Sequence, residues 1–224
     1  MQARSEQTRL RLVRAGAEMF DRNGYAKATL EQITAAAGMT KGALYFHFAS
    51  KDGLAEAVQA RGRSMLREFV EEQLNTGVSP VQALVDLTHW LARTLYEDPV
   101  VRAGFRIAAE RVGPQPPAAD IGRAWTEEIR LLLARAHEAG ELRTGRTRGA
   151  EGPETLLTAT VRGIEALSGT GMSGRELRRR VEALWEPLLS ALVPPGEEAR
   201  YRTGPPHPAP HLPASSAPCP TTAA

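Results

Sequence analysis

The sequence predicts an all-α protein, a three-helix head followed by a larger helical body, with about nine helices in all. Three observations point there. Apolar residues recur at spacings of three and four rather than two. Ser, Thr and Asp at helix starts and Gly at helix ends punctuate the chain. Aromatic residues, which strands favour, make up only 5% of it.

Taken in order, Leu10, Val13, Ala17 and Phe20 form the first apolar stripe, and Asn23-Gly24 ends it with a residue free to take positive φ. Thr29-Leu-Glu-Gln32 is a capping box opening a short helix through Leu30, Ile33 and Ala37, closed by Gly38. Thr40 caps a very short helix, and Ser50 a long one carrying Leu54, Val58, Met65, Leu66 and Phe69. Ser79-Pro80-Val-Gln82 and Asp98-Pro99 pair a cap with proline at the first helical position. A break at residues 113–117 precedes a helix over about 120–139. A polar, mobile loop is expected over 143–152, then helices over about 153–167 and 173–192. Pro187 is expected to kink the last of these. These readings divide the chain into residues 1–50, 51–193 and a Pro-rich, disordered tail over 194–224.

The hydrophobic share of 42% supplies an ordinary globular core. No apolar run approaches the roughly 20 residues of a membrane span, and the polar, basic first residues lack a secretory h-region. The expected setting is cytoplasmic, with no membrane partner. Cys219, the single cysteine, can neither close an internal disulfide nor hold a metal alone. Residues 1–51 carry eight basic and four acidic side chains, and the rest 20 basic and 22 acidic. A basic head on a faintly acidic body suits DNA binding, and a solvated basic face would give the same bias.

Residues 29–48 carry the chemistry. A capped helix of about eight residues, the turn Gly38-Met39-Thr40 and a second short helix have helix-turn-helix spacing. In the second helix Leu44 and Phe48 can pack backwards, leaving Thr40, Lys41, Tyr45 and His47 directed outward. An ammonium, a phenol and an imidazole on an exposed helix suit phosphate oxygens and groove edges. Gly42 costs a helix about 1 kcal/mol, understandable where the backbone must approach DNA closely. The competing reading makes Tyr45, Phe46, His47 and Phe48 a small aromatic core.

The run T-L-E-Q-I-T-A-A-A-G-M-T-K-G-A-L-Y-F-H-F-A-S-K-D-G-L, from Thr29 to Leu54, resembles the DNA-binding domain of TetR-family repressors. The resemblance implies phosphate contacts from Thr29, Thr40, Tyr45, His47 and Lys51, and base contacts from Lys41, Gly42 and Phe46, with Tyr45. It implies a homodimer on a pseudo-palindromic operator in double-stranded DNA, released by a small-molecule inducer. K-G-A-L-Y-F-H-F and the helix around Trp125 are similar to the γ-butyrolactone receptors of actinomycetes, whose relatives sense furans, butenolides or antibiotics. Trp125 would then stack on the ligand or else be plain core. Thr158 and Thr160 could donate to a lactone carbonyl or bond their own helix, and Trp90 could be pocket wall or core. The family pairs its last two helices across the dimer. That makes Val161, Ile164, Val181, Leu184, Trp185 and Leu188 interface candidates, with burial inside the protomer as the alternative.

Other patterns carry less. Gly169-Thr-Gly171-Met-Ser-Gly174 fits G-x-G-x-x-G, but no strand precedes it, so the glycines end one helix and Ser173-Gly-Arg-Glu176 starts the next as a capping box. His207 and His211 are held apart by Pro208 and Pro210, and Glu127 and Glu128 diverge on a helix. No catalytic, metal or cofactor constellation is expected. The alternatives kept open are the same head on a sensor of drugs, antibiotics or lipids, and a helical enzyme with an incidental basic head.

Overall fold

The structure is a computed structural model that describes residues 2–111, 120–143 and 151–206. Nine α-helices occur among those residues: α1 (Gln2–Asn23), α2 (Leu30–Ala37), α3 (Lys41–His47), α4 (Lys51–Asn75), α5 (Pro80–Glu97), α6 (Pro99–Glu110), α7 (Ile121–Glu138), α8 (Glu151–Ser168) and α9 (Gly174–Leu192). The all-α expectation holds, and no strand occurs in the described residues.

Local chemistry sets the boundaries. Thr29 and Gln32 close the anticipated capping box, side chain to backbone in both directions. Gly38 ends α2 in the left-handed region at φ 63°, where a Cβ would be strained. Arg11 Nη2 donates to the freed Ala37 carbonyl at 3.0 Å. Ser50, Ser79, Asp98 and Ser173 each cap a helix by accepting from a backbone N–H. Two boxes differ from expectation. Gln82 turns its side chain to Asp86 and Arg202 instead of back to Ser79, and Glu176 turns to Arg179 and Arg180. In both, an ionic or amide partner displaces the weaker return bond to the cap.

The head is α1–α3, with Leu12, Phe20, Ile33 and Leu44 buried at its centre. α1 lies on α4 and α6, so the head is bolted to the body along its first helix. In the body α5 is the central helix, packed against α4, α6, α7, α8 and α9 and buried on nearly every side. α9 continues through Pro187 to Leu192.

The expected disordered tail over 194–224 is corrected for residues 194–206. A 3-10 turn, Glu198–Arg200, sets Tyr201 into the core. Beyond it Arg202 Nη2 lies 2.6 Å from the buried Asp86 carboxylate, and the Arg202 N–H donates to Gln82 Oε1 at 2.8 Å. His89 Nε2 donates to the Thr203 carbonyl at 2.7 Å. Gln82, Asp86 and His89 form one polar stripe of α5, and the strap satisfies it, which composition alone does not reveal. His207, His211 and Cys219 lie outside the described residues, as do residues 113–117 and most of the loop expected to be mobile.

Candidate nucleic-acid interface and buried polar site

α3 is seven residues long, and its two faces separate sharply. Leu44 and Phe48 are buried, and the Arg9 guanidinium lies over the Phe48 ring, 5.4 Å from its centroid. On the other face Phe46 is 80% exposed and Tyr45 56%. The small-aromatic-core reading therefore fails for both: only Phe48 of the four aromatics is buried. His47 is half-buried, its ring edge-on to Phe46 with centroids 5.1 Å apart.

Thr40 and Gly42 are exposed beside them. The Thr40 hydroxyl accepts from Ala43 N at 3.2 Å, which leaves its proton for an outside acceptor. A Cβ on Gly42 would come no nearer than 3.8 Å to Thr40 Oγ1, so packing within the chain does not require this glycine. Lys41 Nζ sits 2.6 Å from Glu31 on α2. Bonding from that ammonium, the backbone and the exposed Thr29 holds the Glu31 carboxyl down to about 2. Thr29, Thr40, Lys41, Gly42, Tyr45 and Phe46 thus share the solvent side of α2 and α3.

Lys51 does not join them. Its ammonium donates to the carbonyls of Tyr25, Ala26 and Ala28 at 2.9, 3.2 and 3.2 Å, and lies 4.6 Å from the Tyr25 ring centroid. An ammonium has three N–H donors, and all three are engaged. The expected phosphate contact is replaced by a staple joining α4 to the loop between α1 and α2.

In the body, Trp125 is 2% exposed, its ring 6.0 Å from that of Trp90, which stacks on Phe69 at 5.5 Å. Trp125 Nε1 and Thr158 Oγ1 are buried with no hydrogen-bond partner. Thr160 Oγ1 donates to the Leu156 carbonyl of its own helix at 2.9 Å, so its proton is spent and its expected bond to a ligand carbonyl is lost. Gln59 Nε2 and Arg63 Nη1 on α4 are likewise buried without partners. Sequence reasoning missed both, although each is a polar residue in the apolar stripe of Ala55, Val58, Leu66 and Val70.

The six interface candidates divide. Val161, Ile164, Val181, Trp185 and Leu188 point into the protomer's own core, and Trp185 Nε1 donates to Thr88 Oγ1 at 2.7 Å. Side chains filled in this way cannot also contact a partner. Leu184 alone of the six is exposed, with Leu156 on α8 a further exposed leucine.

Comparison with known proteins gives this arrangement a context. Residues 12–58 match the model for bacterial regulatory proteins of the tetR family. The A-factor receptor protein of Streptomyces griseus is 34% identical over 211 residues, 90% of this chain and 69% of that protein. This chain belongs to the TetR family. Among solved structures, the TetR family protein CprB from Streptomyces coelicolor in complex with its operator superposes with TM-score 0.74. It is 34% identical, with 89% of this chain and 95% of CprB covered. A γ-butyrolactone receptor structure gives TM-score 0.73 at 34% identity with the same coverage. TylP from Streptomyces fradiae gives 0.70 at 31%, covering 91% and 87%. The protein is a TetR-family DNA-binding repressor, similar to the γ-butyrolactone receptors. Among the described residues no helix is long and apolar enough to cross a membrane, and no three metal-ligating side chains gather to hold an ion.

Proposed function

We propose that this TetR-family repressor acts as a homodimer, laying α3 of each protomer in the major groove of a pseudo-palindromic operator. A small molecule of lactone, furan or butenolide size, bound in the body, releases it. The observation that carries the reading is Phe46, whose ring stands 80% exposed beside Tyr45 on a helix too short to need it there. Burying an aromatic against another surface is favourable by about 25 cal/mol per Å² of apolar area, and thymine methyls and sugar edges offer such a surface. Thr29 and Thr40 then serve phosphates, and Lys41, freed from Glu31, serves the groove. Two-fold symmetry sets the two helices about one DNA turn apart. The exposed Leu156 and Leu184 mark the pairing surface on α8 and α9.

The effector site is read at the aromatic row of Phe69, Trp90 and Trp125, with the Thr158 hydroxyl available to it. α4 links this row to the head, since it starts at the Lys51 staple and carries Phe69 five turns later. A ligand acts only through its difference in affinity between the DNA-bound and released shapes. Weakening the operator complex 100-fold requires a preference of about 2.7 kcal/mol. One hydrogen bond and one stacked indole supply energy of that order.

The test is a gel shift on the region upstream of the protein's own coding sequence, repeated with γ-butyrolactones, furans and butenolides and with the carboxylic acids formed from them by ring opening or ring substitution. The reading expects a shifted complex that one ligand class dissolves. It also expects Trp125→Ala to bind the same DNA and resist release. A folded protein that shifts no such fragment, or a Trp125→Ala variant released normally, contradicts it.

A further inference from the structure

Apart from Arg93, which pairs with Glu97, the buried polar atoms without hydrogen-bond partners fall into two groups among the described residues. His89 Nδ1 and Tyr201 Oη lie under the C-terminal strap. Gln59 Nε2, Arg63 Nη1, Trp125 Nε1 and Thr158 Oγ1 lie on α4, α7 and α8. The second group is made of donors. An amide N–H, a guanidinium and an indole have no lone pair to give, and only the hydroxyl can act either way.

Two anchors fix how α4 and α7 are aligned. Gln59 Oε1 accepts from the Ile121 N–H at 3.1 Å, at the start of α7. Further along, Arg67 Nε faces Glu128 Oε1 at 3.7 Å. Residue numbers rise together on both helices, so the two run in parallel. Arg63, four residues past Gln59, stands level with Trp125, four past Ile121. Within this stretch Gly62 carries no side chain, and a Cβ there would lie 2.9 Å from Ile121 Cδ1, so the two helices approach closely.

Arg63 is the anomaly. Its side chain is half-buried, and among the described residues no carboxylate pairs with it. The nearest acidic influence, Glu127, is engaged by Arg123 at 3.0 Å, and Arg67 adds repulsion. Burial and that repulsion lower its affinity for its proton. A guanidinium with a buried, unmatched N–H is costly in a protein interior, and an anion on it removes the cost. Beside it the row Phe69, Trp90 and Trp125 supplies an apolar wall.

We infer that the effector is an acid: its carboxylate sits on Arg63 Nη1, with Gln59 Nε2 and Trp125 Nε1 serving its other lone pairs, and its apolar part lies on Phe69 and Trp90. This rests on the reading of the body as an effector site and names the class of molecule that fills it. A neutral lactone offers two weakly accepting oxygens and leaves the guanidinium uncompensated. A carboxylate offers about four lone-pair sites and charge-assisted bonds roughly twice as strong as neutral ones.

The test uses one carbon skeleton in two charge states. γ-Decalactone and its ring-opened salt, 4-hydroxydecanoate, are titrated against the full chain at mildly alkaline pH, followed by tryptophan fluorescence and by melting temperature. The expected result is a Kd at least about tenfold lower for the hydroxy acid. Arg63→Met should bring the two Kd values together, and Arg63→Lys should keep part of the preference, with operator affinity unchanged in both variants. Equal or tighter binding of the lactone to the wild type overturns the acid assignment. So does a preference that survives Arg63→Met. Binding of neither probe overturns the site at this seam. In each case, operator binding by the same wild-type sample shows separately whether the repressor reading stands.

Discussion

Arg102 Nε on α6 lies 2.8 Å from the Asp21 carboxylate at the end of α1, joining body to head by a direct ion pair. The same edge carries more. Arg106 donates to the Asp21 carbonyl, Glu110 accepts from Ala26 N at 3.2 Å, and Arg111 lies 3.1 Å from Asp52. Tyr25 donates to Asp52 in the middle of this cluster, and burial together with that carboxylate pushes its phenol up to about 12. α6 thus grips the loop that Lys51 staples from the other side. Because Arg102 and Asp21 are both partly exposed, their coupling in a double-mutant cycle should be about 0.5–1 kcal/mol, measured by urea unfolding. A coupling near zero would mean that α6 holds the head by apolar packing alone.

Lys51 and Lys41 should separate cleanly in DNA binding. Lys51→Ala removes three bonds to carbonyls and should cost about 1–3 kcal/mol of stability. It should leave the slope of log K against log salt unchanged. Lys41→Ala touches only an exposed ion pair in the free protein and should leave stability alone. It should make the salt slope shallower by roughly 2 per dimer, one counterion per protomer. The reverse pattern would restore Lys51 to the interface.

Trp185 and Leu184 are adjacent in sequence and opposite in role. Trp185→Ala opens a cavity and removes the bond that Thr88 Oγ1 accepts, so the urea midpoint should fall by the equivalent of about 3–5 kcal/mol. Leu184→Glu, on a side chain 37% exposed, should leave the monomer's stability nearly unchanged and lower the sedimentation coefficient by breaking the dimer. A Leu184→Glu protein that still sediments as a dimer moves the pairing surface elsewhere.

The C-terminal strap predicts a pH dependence. Burial lowers the proton affinity of His89, outweighing Asp86 and the Thr203 carbonyl, which favour the charged ring. The unfolded chain, with a His pKa near 6.5, then takes up a proton that the folded chain refuses. Stability should therefore decline as pH falls through that value. The opposite shift at Asp86, raised chiefly by burial, relieves a penalty as pH falls and so works against the His89 effect. His89→Gln, which keeps a donor toward Thr203, should flatten the melting temperature between neutral and mildly acid pH. A profile unchanged by His89→Gln would show that the strap does not control it. Truncation after Val193 should cost about 1–3 kcal/mol by uncovering Tyr201's site and the Asp86 stripe.

These results also show what a sequence can carry. The Thr29 capping box, the Gly38 stop and the Leu44/Phe48 back face are local, written in residues three and four apart, and the helix-turn-helix was legible from them. Trp185 was ambiguous because periodicity tells which face is apolar and not what covers it; Thr88, distant in sequence, supplies the answer. Lys51 reads as an exposed cation until the Tyr25–Ala28 carbonyls are brought round it by the fold of α1 on α4. The strap was invisible because a Pro-rich composition argues for disorder, while Arg202 and Thr203 find their partners on a helix over a hundred residues earlier. Arg63 carried a local sign, a cation in an apolar stripe, whose meaning depended on the missing carboxylate.

The central claim, that the exposed face of α3 binds DNA, is tested most directly by fluorescence anisotropy with a labelled duplex, from the region upstream of the protein's own coding sequence, that the wild type shifts. Tyr45→Ala and Phe46→Ala remove rings that the free protein leaves in solvent, so their melting temperatures should match the wild type. Each should lose about 1–3 kcal/mol of affinity per contact, a weakening on the order of tenfold to a hundredfold. If both variants fold and bind that duplex as tightly as the wild type, α3 does not read the operator and the account is wrong.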